Sequence, residues 1–142
     1  MNNIANLQYQ TISNLSEEIR DKRLSPLDIV KVCLDRIQKL NPELNAFITL
    51  SSHAVGDAIA AAAEIQKGNY LGPLHGIPVA LKDFYDTADM KTTAGFVHFK
   101  KRAPGKDADV VTRLRNAGAI ILGKTNMHQL GMGTTSTESF FG

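Results

Sequence analysis

The sequence predicts an α/β fold in which an N-terminal helical layer precedes part of a mixed β-sheet flanked by helices. Three observations carry this. Residues 11–67 are dominated by apolar residues at helical spacing, and after Gly72 the texture changes to short apolar runs punctuated by glycine and proline. An apolar run at Ile77–Leu81, a helical pattern at Asp107–Ala117 and a second apolar run at Ala119–Leu122 then follow in the order strand, helix, strand. That succession suggests a βαβ unit with parallel strands. The 142 residues suffice for one core. They divide into a helical layer, 1–71, and the start of the sheet-bearing core, 72–142.

Each element has a local reason. Around Thr11–Lys22, an amphipathic segment presents Ile12, Leu15 and Ile19 on one side. The clearest helix begins at Ser25-Pro26-Leu27-Asp28, where Ser25 can cap, Pro26 suits the first helical position and Asp28 meets the positive end of the helix dipole. Leu27, Val30, Cys33, Leu34, Ile37 and Leu40 form its buried stripe, and Asn41-Pro42 is expected to end it. Ala46–Leu50 is short and apolar enough for a strand. Alanine-rich Val55–Lys67 reads as a helix stopped by Gly68. Ile77–Leu81 is an extended segment in which Pro78 argues against an interior sheet position, and Thr92-Thr93-Ala94-Gly95 is loop. Asp107 is expected to cap the next helix, which turns Val110, Val111 and Leu114 inward and pairs Asp109 with Arg113. Gly118 closes that helix before the strand Ala119–Leu122.

Composition narrows the function classes. Hydrophobic residues make up 43% and charged residues 21%, the balance of a globular domain rather than a disordered chain. Sixteen basic and 14 acidic residues leave a net charge of +2, dispersed along the chain, which gives no nucleic-acid surface. The densest basic run, Lys100-Lys101-Arg102, precedes Pro104-Gly105 and reads as a solvated loop. Cys33 is the single cysteine, so no internal disulfide or all-cysteine zinc site can form, and its helical context makes it a core residue. Polar Met1–Gln10 lacks the features of a secretion signal, and no apolar run approaches the roughly 20 residues of a membrane span. A cytoplasmic location is therefore expected.

Two motifs are set aside. Gly118-Ala119-Ile120-Ile121-Leu122-Gly123-Lys124-Thr125 fits the phosphate-loop pattern G-x-x-x-x-G-K-T, but its first glycine follows a helix and its middle residues are strand formers. The expected structure is a helix stop, a core strand and then a turn. His53, His75, His98 and His128 lack the close pairing of metal ligands, and no metal is expected. Lys82 is different, because it ends the run Ile77–Leu81, and α/β proteins commonly place their sites at strand ends. A lysine there serves as a base only if burial or a positive neighbour depresses its pKa.

Leu74-His75-Gly76-Ile77-Pro78-Val79-Ala80-Leu81-Lys82-Asp83 resembles the signature L-H-G-I-P-V-x-[LIV]-K-D of the amidase signature family. Further matches follow in order: Thr92-Thr93-Ala94-Gly95, Asp107-Ala108, Val110-Val111-x-Arg113-Leu114, Ala117-Gly118-Ala119-Ile120 and Gly123-Lys124-Thr125-Asn126-Met127. His128-Gln129-Leu130-Gly131-Met132-Gly133 is similar to the family's pocket segment, and Phe141-Gly142 to the end of its next turn. The resemblance implies amide-bond hydrolysis or transfer by a Ser-cisSer-Lys triad, without cofactor, on a small-molecule amide. It makes Lys82 the ultimate base and places Met132 and Gly133 against the substrate, while Thr92-Thr93 organises a loop. Both family serines belong to later glycine-rich loops, and the serines here, including Ser136 and Ser139, match neither. The chain is accordingly expected to be an inactive N-terminal fragment, aggregation-prone through exposed edges of strands such as Ala119–Leu122. The glutaminase subunit of tRNA-dependent amidotransferases shares the signature, usually with K-D-N and M-D-E-F. Phe84 after Lys82-Asp83, and Met127-His128-Gln129-Leu130, favour a stand-alone amidase instead. A non-catalytic remnant or interaction module is the third reading.

Overall fold

A computed structural model describes Leu7 and residues 9–142. Most of the polar start Met1–Gln10, which as a sequence lacks a secretion signal, lies outside the described residues. Four helices and three strands follow in the order α1 (Ile12–Arg20), α2 (Pro26–Leu44), β1 (Phe47–Leu50), α3 (Ala54–Gln66), β2 (Pro78–Lys82), α4 (Asp109–Asn116) and β3 (Ile120–Thr125). The sheet has the order β1-β3-β2, with β3 antiparallel to β1 and parallel to β2. The expected βαβ unit is therefore β2-α4-β3, and the mixed sheet arises because β1, from the segment assigned to the helical layer, joins its far side.

Helices cover both faces of the sheet. On one, Val30 of α2 and Ala54, Ala58 and Ala61 of α3 bury Ile120 and Leu122. The small side chains of α3 let it lie close against its neighbours. Beside this cluster, Leu15, Ile19, Leu24, Ile29, Ile65 and Ile77 join α1, α2 and α3 to the start of β2. On the other face, Val111 of α4 packs with Leu81, Met90 and Ile121. Burying a side chain of this size contributes about 1.5–3 kcal/mol, so each face has several residues whose truncation would be felt. Cys33 packs against both helical clusters but is half-buried, short of the core position expected for it.

Local chemistry sets the element ends. Thr11 Oγ1 accepts from Asn14 N, and Ser25 Oγ accepts from Leu27 N with Pro26 next to it. The stop expected at Asn41-Pro42 is overturned: α2 runs to Leu44 and ends on Asn45 in the left-handed region. Pro42 lies in the last turn, where its missing N–H costs little further helix, and Asn45 N reaches Asn41 O at 2.8 Å. Asn41 has another task, bonding Phe47 N through Oδ1 and Phe47 O through Nδ2, which fixes β1 to the helix end. Ile12, expected on the apolar side of α1, and Leu40, expected in the buried stripe of α2, are exposed.

Three further expectations are corrected. Asp107 does not cap α4: its Oδ1 accepts from Ala88 N and its Oδ2 pairs with Arg115 Nε, while Ala108 occupies the cap position. The ion pairs of α4 accordingly run from Arg115 to Asp89 and Asp107 rather than from Asp109 to Arg113, and Val110 faces solvent. The second is the extent of β3, which continues through Gly123-Lys124-Thr125 instead of turning after Leu122. The third follows from the sheet order: β3 is central and buried, so the free edges belong to β1 and β2. No helix among the described residues is long and apolar enough to cross a membrane.

Candidate active site

Lys82 is the last residue of β2, opposite Thr125 of β3. Its side chain is exposed, and its Nζ has no hydrogen-bond partner among the described residues. The residue after it is held at every polar atom but one. Asp83 N donates to Thr125 O at 3.1 Å, and Asp83 O accepts from Ala94 N at 3.0 Å. Asp83 Oδ2 accepts from Thr93 N at 2.9 Å and from Thr93 Oγ1. Thr93 Oγ1 in turn accepts from Gly95 N at 3.2 Å. The loop role expected of the tandem threonines is thus what the structure shows, with Asp83 as the hub.

A second lysine, unanticipated from the sequence, completes this network. Lys124 is fully buried, and its Nζ donates to Tyr85 O and Thr92 Oγ1, each at 2.7 Å, and to Lys91 O at 3.3 Å. Three ammonium protons thereby meet three acceptors. Asp83 Oδ1 lies 3.3 Å from Nζ as an ion-pair neighbour and receives no hydrogen bond. Burial pushes the Lys124 pKa down, while the charge of Asp83 pulls it back up. At the rim, Arg102 grips Asp86 through both guanidinium nitrogens at 2.6 and 2.7 Å and holds the Asp86 carboxyl below its ordinary range. Arg102 is therefore a tie within the basic run, which is otherwise solvated as expected.

Lys124 reaches this face through a bulge. Val79 pairs with Ile121 and Ala80 with Gly123, so Leu122 is an extra residue in β3. Strict alternation would put Ile121 and Lys124 on opposite faces. The extra residue returns Lys124 to the side of Ile121 and Leu81, the re-aiming that bulges commonly perform. Gly123 is required there, because a Cβ would lie 2.2 Å from Thr49 O of β1. The glycine and lysine that imitate a phosphate loop are a close strand approach and a buried cation.

The segment after β3 docks on the loop after β2, with Leu130 N donating to Ala94 O at 2.8 Å. A groove of about 530 Å³ is lined by Phe84, Tyr85, Ala94, Phe99, Arg102 and Leu130 among others; Lys82, Met132 and Gly133 do not line it. Met132 is 82% exposed, and Gly133 sits on the His128 ring, 2.2 Å from where its Cβ would be. Ser139 Oγ donates to Asn126 Oδ1, Ser136 is exposed, and neither bonds Lys82. The histidines are apart: buried His75 accepts from Leu71 N through Nδ1 and faces Glu64, while His128 faces Glu138. Among the described residues no group of three or more His, Cys, Asp or Glu side chains is placed to hold a metal.

The described residues thus form a mixed α/β unit with an exposed lysine at a strand end and a buried Asp–Lys–Thr network in the loop beside it. A sequence profile of the Amidase family matches residues 28–142. The chain belongs to the amidase family, characterised by the amidase signature. It is 40% identical over 137 residues to a glutamyl-tRNA(Gln) amidotransferase subunit from Coxiella burnetii, covering 96% of this chain and 28% of that protein. The corresponding amidotransferase subunit from Marinomonas sp. is 41% identical over 134 residues, covering 94% and 27%. Among solved structures, the peptide amidase of Stenotrophomonas maltophilia superposes with a TM-score of 0.81 at 36% identity, over 84% of this chain and 25% of that one. A fatty acid amide hydrolase gives 0.91 at 23% identity over the whole of this chain and 25% of its own, a likeness of fold. The chain thus spans little more than a quarter of the curated relatives it matches.

Proposed function

We propose that Lys82 is the base of a Ser-cisSer-Lys site that cleaves the carbon–nitrogen bond of a small amide. The observation that carries this is the placement of Lys82 within the matched signature, at a strand end, with the following aspartate anchored and its own amine left free. In this reading the neutral amine takes a proton from a bridging serine, which activates a nucleophilic serine for attack on the amide carbonyl. The same proton then returns to the leaving amine as the acyl-enzyme forms. Met132 and Gly133 contribute to the wall of the substrate pocket once further chain covers them.

Both serines and the oxyanion donors come, in this proposal, from glycine-rich loops that these 142 residues do not contain, so the chain alone does not turn over amides. Covering exposed Lys82 with the rest of a family domain would also supply the desolvation that favours a neutral amine. The test uses a serine-reactive phosphonate on the full product of the gene. Labelling is expected, and Lys82→Ala should slow it by about 10²–10⁴-fold, the usual contribution of a positioned base. An unchanged labelling rate in that variant would remove Lys82 from the role, and absence of labelling in the parent would leave a non-catalytic protein.

A second reading is favoured by the names of the curated relatives, which are glutamyl-tRNA(Gln) amidotransferase components. In it, the same chemistry releases ammonia from glutamine for a tRNA-bound acceptor. Phe84 and the run Met127-His128-Gln129-Leu130 speak for the stand-alone amidase. Ammonia release from glutamine that requires glutamyl-tRNA would decide for the amidotransferase.

A further inference from the structure

Thr93-Ala94-Gly95-Phe96 turns with a positive φ at both central residues, +53° at Ala94 and +62° at Gly95, and closes with Phe96 N donating to Thr93 O at 3.0 Å. Gln129-Leu130-Gly131-Met132 repeats this geometry, with φ of +55° and +71° and Met132 N donating to Gln129 O at 3.2 Å. Both are mirror-image (type I′) turns, and each places a residue with a Cβ where glycine or asparagine is preferred. Such strain persists where the surroundings over-determine the backbone. Around the first turn they do. Ala94 N donates to Asp83 O, Asp83 Oδ2 accepts from Thr93 N and Oγ1, and Thr93 Oγ1 accepts from Gly95 N. The carbonyls of the turn then capture two amides of the segment after β3: Ala94 O accepts from Leu130 N at 2.8 Å and Gly95 O from Phe140 N at 2.9 Å. Gly95 permits this approach, because a Cβ there would lie 2.9 Å from the backbone oxygen of Met127.

We propose that Thr93-Ala94-Gly95 is a template on which residues 127–140 are set, and that Asp83 and Thr93, which fix the template, are positioning residues for Met132 and Gly133. The inference rests on the proposed function only in reading Met132 and Gly133 as pocket wall; the docking itself belongs to the backbone bonds. Those bonds run in series from Thr125 O to Asp83 N, from Asp83 O to Ala94 N and from Ala94 O to Leu130 N. The end of β2 and the turn before Met132 and Gly133 therefore share one register. Between the two captured amides, Gln129 N donates to Glu138 O at 2.6 Å, so the intervening residues close into a loop carried by the template.

The test is amide hydrogen exchange of this chain at low micromolar concentration, read at Leu130 and Phe140. Ile120, whose N donates to Ile77 O beside the start of β2, is the reference for global opening. Thr93→Val removes the hydroxyl that links Asp83 Oδ2 to Gly95 N. It should speed exchange at Leu130 and Phe140 together by about tenfold relative to Ile120, the weight of one hydrogen bond to a charged group. Thr93→Ser, which keeps the hydroxyl, should retain the parent ratio. Gly95→Ala, which drives a methyl group into Met127 O, should release both amides as well. A role in stability alone predicts that Leu130 and Phe140 keep step with Ile120 in every variant, and that result overturns the proposal. Release of only one of the two amides overturns it too, since a shared template frees both. If Thr93→Val fails to fold, Gly95→Ala decides by the same ratio. Because no turnover is read, this result stands or falls separately from the assignment of Lys82 as a base.

Discussion

Gly123 is the residue whose side chain the fold can least accept. A methyl group there would meet Thr49 O at 2.2 Å and Leu50 Cα at 3.0 Å, both backbone atoms of β1 that cannot rotate away. Gly123→Ala should therefore separate β1 from β3 and destabilise the chain by about 2–4 kcal/mol, the range of strong backbone and overpacking effects. Denaturant unfolding with a midpoint near that of the parent would show that β1 can shift without cost. At this scale the strand-end position of Lys82 and the loop-organising bonds of Thr92 and Thr93 were legible, the first because an apolar run ends there and the second because hydroxyls bond nearby polar groups. Lys124 was hidden, since a lysine after an apolar run and a glycine reads as a turn, and only the extra residue in β3 turns it inward. The signal that could have found it is the pairing of a second lysine with the aspartate that follows Lys82. Met132 and Gly133 were named from resemblance, and the described chain leaves the first exposed and the second packed on His128.

Elements were readable where caps and periodicity agree and misread where a side chain had a longer-range partner. Ser25 and Pro26 marked the start of α2 correctly, and Ser25→Ala should cost about 1 kcal/mol in thermal or denaturant unfolding by leaving Leu27 N uncapped. No loss would mean that water replaces the hydroxyl fully. Asp107 looked like the cap of α4 but serves Ala88 N and Arg115, a contact between segments that local pattern cannot show. The loop between β2 and α4 depends similarly on the Asp86–Arg102 pair. The folded-state pKa of Asp86 is depressed by Arg102. Its stabilisation is thus fully present above the unfolded value of about 3.9 and is lost as pH falls through the folded value. Both side chains are partly exposed, so the effect is small and screened by salt. The unfolding midpoint should fall more steeply below about pH 4 in the parent than in Asp86→Asn; parallel pH profiles would exclude the pair as a contributor.

For the whole molecule, the α/β class and the β2-α4-β3 crossover follow from the order of apolar runs. The mixed sheet with β3 at its centre required knowing that β1 crosses from the helical segment. That arrangement moves the expected aggregation hazard. β3 is shielded on both sides, whereas β1 and β2 each leave one edge unpaired among the described strands. Pro78 blunts only the start of β2. Exposed Phe84, Tyr85, Phe99, Met132 and Phe140 lie in the loops that follow β2 and β3, an apolar surface that water solvates poorly. The 142-residue chain should therefore self-associate at tens of micromolar, and sedimentation velocity should show species heavier than 15.5 kDa. Phe84→Asp, on the loop rather than in a core cluster, should shift the distribution toward monomer without lowering helix content. A single monomeric boundary in the parent, with one sharp unfolding transition, would mean that these edges and aromatics are tolerated in water. Heavier species that persist unchanged in Phe84→Asp would assign association to the strand edges instead.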